Sequence, residues 1–143
     1  MLELVPLCTA FLELHPPLAV GTGPNGDRTI GAIRTITIEG ERMRATLAGP
    51  AAGDFIARTG AIGAIDVRLT VRTDDGALIY VSYGGRLDLS NPAAGMFAYV
   101  APLFETGDER YAWLNKVQAV GKGQLSVAAD GSSTLGYEFY EVR

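Results

Sequence analysis

The sequence is poor in the residues that most catalytic and metal-binding designs require. Cys8 is the only cysteine. It can form no internal disulfide and no cysteine-based metal framework, which suits a reducing compartment. His15 is the only histidine. A site built on several histidines is excluded, and a Ser-His-Asp or Cys-His centre would have to use this one residue. It sits beside Pro16-Pro17 at a strand end and reads as a surface or loop residue. No EF-hand-like spacing occurs, and no metal ligand set is expected. Basic residues are also scarce: the net charge is −4 and the sequence pI about 4.9. No basic stripe is present, so neither nucleic acid nor an anionic membrane surface is an expected partner. No apolar run approaches the roughly 20 residues of a membrane helix. The stretch from Met1 to Leu14 has no positive flank and is broken by Glu3, Pro6 and Glu13, unlike a signal peptide. The expected location is the cytoplasm.

What the chain has in quantity is glycine and short apolar runs. Its 143 residues fit one domain, residues 1–143, with 48% hydrophobic and 20% charged residues. Eighteen glycines without a repeat imply many tight turns between short strands. Strand-like runs are read at Leu2–Leu14, Arg34–Ile38, Arg42–Leu47, Asp54–Arg58, Ile65–Arg72, Ala77–Tyr83, Met96–Ala101, Gln118–Val127 and Thr134–Val142. Gly84-Gly85 is read as a strand end, and Gly21–Asp27 as a loop. The loop matches the glycine positions of a dinucleotide fingerprint but lacks the helix that must follow, so no nucleotide cofactor is expected. Asp108–Val117 is the one helical candidate, with Asp108 as its cap. The expected fold is all-β: a closed antiparallel barrel of about 8–10 strands with one short helix against an end, since closure removes edge strands.

Ile65–Arg72 alternates cleanly. Ile65, Val67, Leu69 and Val71 share one face; Asp66, Arg68, Thr70 and Arg72 share the other. Asp75-Gly76 signals a hairpin. A two-residue turn would set Arg68 opposite Tyr83 and Arg72 opposite Ile79; a three-residue turn shifts this by one. The i, i+2 spacing places Asp66 and Arg68 together, either as a solvent-facing ion pair or as an acid/base with an oxyanion-binding partner. The stretch Phe104–Asn115 is a second concentration of polar and aromatic groups. Glu105, Arg110, Tyr111, Trp113 and Asn115 could line a pocket there. Alternatively, the acids complement a helix N-terminus while Trp113 plugs the barrel. Tyr80, Tyr83, Tyr99, Tyr137 and Tyr140 are mostly ordinary strand aromatics, of which one or two at a barrel mouth could donate to a substrate oxygen.

These same residues resemble a known family. Asp66–Val81 looks like its central hairpin motif, and Phe104–Asp108 with Arg110–Asn115 like its second, with weaker matches at Gly21–Arg28 and Gly53-Asp54. The chain is thereby identified as a member of the domain-of-unknown-function 3237 family. The resemblance implies a β-barrel of about this length, often self-associating, so a homo-oligomer is expected. It also implies kinship with fungal proteins implicated in cofactor-free ring closure of aromatic polyketides. Two departures stand out. Tyr99-Val100 precedes Ala101-Pro102 where relatives carry an arginine-threonine pair, and a glycine pair after the second strand is replaced near Arg34-Thr35.

Two functional readings follow. In the first, the barrel binds a small apolar or aromatic oxygenated metabolite and performs isomerisation or cyclisation by acid/base catalysis without a cofactor. Asp66 or Glu105 is then the base and Arg68 or Arg110 steadies an oxyanion. Tyr83, Tyr99, Trp113, Asn115 and Asp54 bind the substrate. In the second, the protein is a non-catalytic ligand-binding or oligomerising module. Asp66 and Arg68 then face a partner subunit, and Asp54, Asp75 and Arg110 form ion pairs and turn caps.

Overall fold

The protein is described by a computed structural model covering Met1–Arg143. Eleven strands make one antiparallel sheet. The first, β1 (Leu4–Leu14), is stopped by His15-Pro16-Pro17; proline can supply no ladder donor. A hairpin of β2 (Leu18–Gly23) and β3 (Gly26–Glu39) follows. Then come β4 (Ala45–Leu47), β5 (Gly53–Thr59), β6 (Ile62–Thr73) and β7 (Leu78–Asp88). After them run β8 (Met96–Val100), β9 (Leu103–Glu105), β10 (Ala119–Val127) and β11 (Ser133–Val142).

Eight of these strands pair in a ring. The order is β1, β11, β10, β8, β7, β6, β5, β3 and back to β1. The long strands β3 and β6 share β5 between them at one end and β4 at the other. Likewise β7 pairs with β8 at one end and with β9 at the other.

Inside the ring the period-2 pattern decides everything. Ile65, Val67, Leu69 and Val71 are buried, while Asp66 and Arg68 point outward. The turn after β6 holds three residues, Asp74-Asp75-Gly76, so Arg68 pairs with Ser82 and Arg72 with Leu78. Gly76 supplies the positive φ of +96° that this turn needs. Thr73 secures it, since its hydroxyl donates to Asp75 at 2.6 Å and accepts from Ala77 N–H at 2.8 Å.

Three local expectations change. Gly21–Asp27 is no open loop: Gly23 pairs with Gly26 around a tight Pro24-Asn25 turn. Gly84-Gly85 does not end its strand, because β7 continues to Asp88. The helix, Glu109–Lys116, is 3-10 rather than α. Asp108 caps it as expected, accepting from Arg110 N–H at 2.9 Å. Three residues per turn put Tyr111 and Leu114 on one face. Leu114, wholly buried, closes this end of the ring with Phe104 and Val117. Trp113 does not plug the ring. It lies at the flank, only partly buried, with the Arg42 guanidinium 4.7 Å from its ring centroid.

Gly85 shows how tightly the ring is drawn. A Cβ there would sit 2.0 Å from the Tyr99 carbonyl oxygen and 2.9 Å from Val100 Cα, both backbone atoms that cannot turn away. A Cβ on Gly107 would meet nothing within 4 Å. Gly85→Ala should therefore cost about 2–4 kcal/mol and lower the urea midpoint, whereas Gly107→Ala should stay within about 0.5 kcal/mol of wild type. Equal midpoints for the two variants would contradict this packing.

Candidate functional site

The two ends of the ring differ. The helix end is filled by aliphatic side chains. The other end holds a cavity of about 480 Å³, within the usual range for a small-molecule site. Its walls are apolar: Leu14, Ile56, Ile65, Leu87, Leu125 and Leu135. His15, Asp27, Arg28 and Arg58 line it near the strand turns. Deeper in, four residues below Arg58 on β5, comes Asp54, and Tyr137 of β11 lines the cavity with it.

Asp54 is placed by an opening in the sheet. The β5–β6 ladder pairs Asp54 with Val67 and resumes at Ala57 with Ala64. Between them, Asp66 N–H donates to the Asp54 carboxylate at 3.3 Å. The Phe55 carbonyl is taken by the Arg28 guanidinium at 2.5 Å. Two side chains thus satisfy backbone groups where the ladder lapses, as buried polar backbone requires. Asp54 itself is 8% exposed. Burial pushes its carboxyl up to about 6, further helped by the Asp66 charge and opposed by the Asp66 N–H bond. No cation compensates it, and a buried, unpaired carboxylate tends toward its neutral form.

Tyr83 and Tyr137 complete the interior. Their rings meet edge-on at 5.6 Å, and Tyr137 lies 5.2 Å from Phe139. Glycines make room for Tyr137 and Phe139. Gly123 faces Tyr137 and Gly121 faces Phe139, where any Cβ would come within 2.5 Å of the ring. Both tyrosine hydroxyls are buried, and neither has a hydrogen-bond partner. Burial raises both phenols; the two hydroxyls also act on each other, Tyr137 raising Tyr83 and Tyr83 lowering Tyr137, and the Asp54 charge raises both.

The residues singled out from sequence separate into three groups. Asp54 lines the cavity and Tyr83 packs behind its wall, so these two and the cavity belong together. Asp66 and Arg68 lie on the outer face, paired with each other at 3.3 Å and about half exposed. They face away from the lumen because they alternate with Val67. Glu105, Arg110, Trp113 and Asn115 gather at the opposite, filled end. Arg110 pairs there with Asp108 at 2.8 Å and Asp75 at 3.3 Å. Asn115 clasps the chain, accepting from Thr106 N–H at 2.8 Å and donating to Thr106 O at 2.9 Å. Glu105 and Tyr99 point to solvent. His15, expected at the surface, is exposed at the cavity's rim.

From sequence, Tyr137 stands only among five strand tyrosines of which one or two could reach a substrate oxygen, and Arg28 and Arg58 carry no pocket signal. A signal for Tyr137 existed. It alternates with Leu135 and Phe139 across from Gly123, a bulky ring opposite a glycine on an inward-facing row.

Fold and cavity together define a barrel-like, all-β protein with one interior pocket reached from one end. The chain belongs to the family described as protein of unknown function DUF3237, which matches residues 2–142. The hydroalkoxylation enzyme PhnH of Penicillium herquei is 37% identical over 98 residues, or 66% of this chain and 58% of that protein. A beta-barrel-like protein from Acinetobacter baumannii superposes with a TM-score of 0.84 at 26% identity, covering 100% of this chain and 97% of its own. An enzyme from Penicillium herquei superposes with a TM-score of 0.66 at 22% identity, covering 97% and 93%.

Asp54 should leave a signature in stability. Its carboxyl titrates near 6 in the folded protein against 3.8 for the free side chain. The folded state therefore holds the proton more tightly, and its stability falls as pH rises from about 4 through 6. The loss should be roughly 2–3 kcal/mol. The Asp54→Asn variant keeps an acceptor for Asp66 N–H but cannot ionise. Urea midpoints at pH 4, 5, 6 and 7 should converge at acid pH and separate in favour of the variant by pH 7. Parallel curves would mean that Asp54 titrates normally.

Proposed function

We propose that the strand ring works as a closed barrel whose lumen binds a small, largely apolar oxygenated metabolite, and that Asp54 catalyses its cyclisation by proton transfer. The observation that carries this reading is the buried, unpaired Asp54 carboxyl in an apolar cavity, poised near 6. A group titrating there can accept a proton and return it at neutral pH. The similarity to a protein named as a hydroalkoxylation enzyme supports the same class of reaction, addition of a hydroxyl group across a carbon–carbon double bond. Such an addition moves one proton and makes one C–O bond. Oxidation state is conserved overall, so no electron-carrying cofactor is needed.

In this reading the substrate lies in the lumen with its own hydroxyl beside Asp54. The carboxylate takes the hydroxyl proton as the C–O bond forms and returns it to the neighbouring carbon. The apolar walls exclude water that would compete as nucleophile. Asp66, Glu105 and Arg68 take no part, because they stand outside the lumen or at its filled end.

The test is ring closure of phenols bearing ortho-alkenyl or ortho-enone side chains, followed by product chromatography. Wild-type protein should accelerate closure of at least one of them. Asp54→Asn should lower kcat about 10²–10⁴-fold, and the wild-type rate should show a pH limb near 6. Undiminished turnover by Asp54→Asn would refute the assignment. The Asp66→Asn and Glu105→Gln proteins should keep wild-type rates.

A further inference from the structure

Tyr83 and Tyr137 are the part of the lumen that the acid/base reading leaves unused. Each carries a buried hydroxyl with no partner, at 4% and 2% residue exposure. An orphaned buried hydroxyl is destabilising, and a Phe at either position would avoid that cost. Tyr137 lines the cavity, and its hydroxyl, though shielded from water, lies near enough to Asp54 to feel its charge. Tyr83 stands behind it, edge-on at 5.6 Å.

We propose that the substrate is a cyclic or aryl conjugated carbonyl compound carrying its own hydroxyl nucleophile, with its carbonyl oxygen seated on Tyr137 and the Tyr137 hydroxyl positioned from behind by Tyr83. This rests on the reading of Asp54 as the proton carrier and names what that carrier works on. A phenol can donate one hydrogen bond while accepting another. In the ligand complex Tyr83 donates to Tyr137, and Tyr137 donates to the ligand.

Three observations narrow the ligand oxygen to a carbonyl. Asp54 has no ion-pair partner, and Arg28 and Arg58 stand nearer the strand turns, so a carboxylate seated directly beside Asp54 would be repelled. Leu14, Ile56, Ile65, Leu87, Leu125 and Leu135 wall the cavity, while Asp27, Arg28 and Arg58 line it near the strand turns, which suits a largely hydrocarbon skeleton in its depth. A carboxyl titrating near 6 is also too weak an acid to protonate an isolated alkene, so the double bond must be polarised by conjugation. The step then balances. Asp54 takes the nucleophile's proton, and the oxygen lone pair forms a bond to the β-carbon. The C=C pair shifts, and its charge settles on the carbonyl oxygen as an enolate, held by Tyr137. The enolate carbon then takes the proton back from Asp54. The product is a cyclic ether isomeric with the substrate.

The test uses two probes. 1-Indanone is an aryl ketone without nucleophile or alkene; its binding and carbonyl stretching frequency are measured by titration and infrared difference spectroscopy. 2′-Hydroxychalcone carries a phenol and an enone and reports turnover. Wild type should bind indanone with a lowered carbonyl frequency. Tyr137→Phe should weaken binding about tenfold and abolish the frequency shift, the loss of one hydrogen bond. Tyr83→Phe should reduce the shift while leaving the cavity's shape intact. Both variants should be at least as heat-stable as wild type without ligand. If Tyr137→Phe fails to fold, Tyr83→Phe carries the same spectroscopic test.

Failure of wild type to bind indanone at millimolar concentration overturns the proposal. So does an unshifted carbonyl, or binding and frequency unchanged in both variants. Asp54→Asn closing 2′-hydroxychalcone at the wild-type rate would instead sink the acid/base reading while the indanone result stood.

Discussion

Every inward-facing side chain of the ring has to share one lumen, and that constraint organises the molecule. Strands pair on both sides, so period-2 alternation sends half of each strand inward with no other place to go. At the helix end, Leu69, Val71, Ile79, Val81 and Phe104 fill the space, and Leu114 closes it. At the other end the inward positions include Gly31, Gly63, Ala98 and Gly123, and the lumen stays open. Small residues on one half of the rows and large ones on the other make a filled base beneath a pocket.

Polar groups at the junction follow from that division. Asp54 sits where the β5–β6 ladder lapses, and its carboxylate stands in for a missing rung. Tyr137 and Phe139 reach into space cleared by Gly123 and Gly121 opposite. A carboxyl without a cation and two hydroxyls without partners all reduce stability. Asp54 and Tyr137 line one cavity with Tyr83 behind it, in a chain whose other buried polar side chains have partners. The ion pairs elsewhere differ in kind. Arg110 with Asp75 and Asp108, and Asp66 with Arg68, are solvent-screened and contribute little beyond local order.

Much of the scaffold was legible in the sequence. The alternation in β6, the stop at His15-Pro16-Pro17, the final hairpin around Asp130-Gly131 and the Asp108 cap all follow from local chemistry. The site was harder to read. Asp66 and Arg68 are conspicuous as charges on an alternating strand, yet the same alternation sends them outward. The Phe104–Asn115 motif is dense because it must clasp a helix over the filled end. Asn115 binds both backbone groups of Thr106, a task that demands an amide but touches no cavity. Tyr137 looked ordinary because its partner across the sheet, Gly123, lies on another strand.

What the sequence by itself determined was the all-β ring of strands and one short helix, since turn chemistry and side-chain period act within a few residues. Which end stays open, which carboxyl loses its solvent and which hydroxyls lose their partners were decided only by tertiary structure. Those properties depend on residues far apart in the chain. Asp54, Tyr83 and Tyr137 come together because the ring brings β5, β7 and β11 around one lumen, and burial there raises the Asp54 carboxyl above the usual carboxylate range.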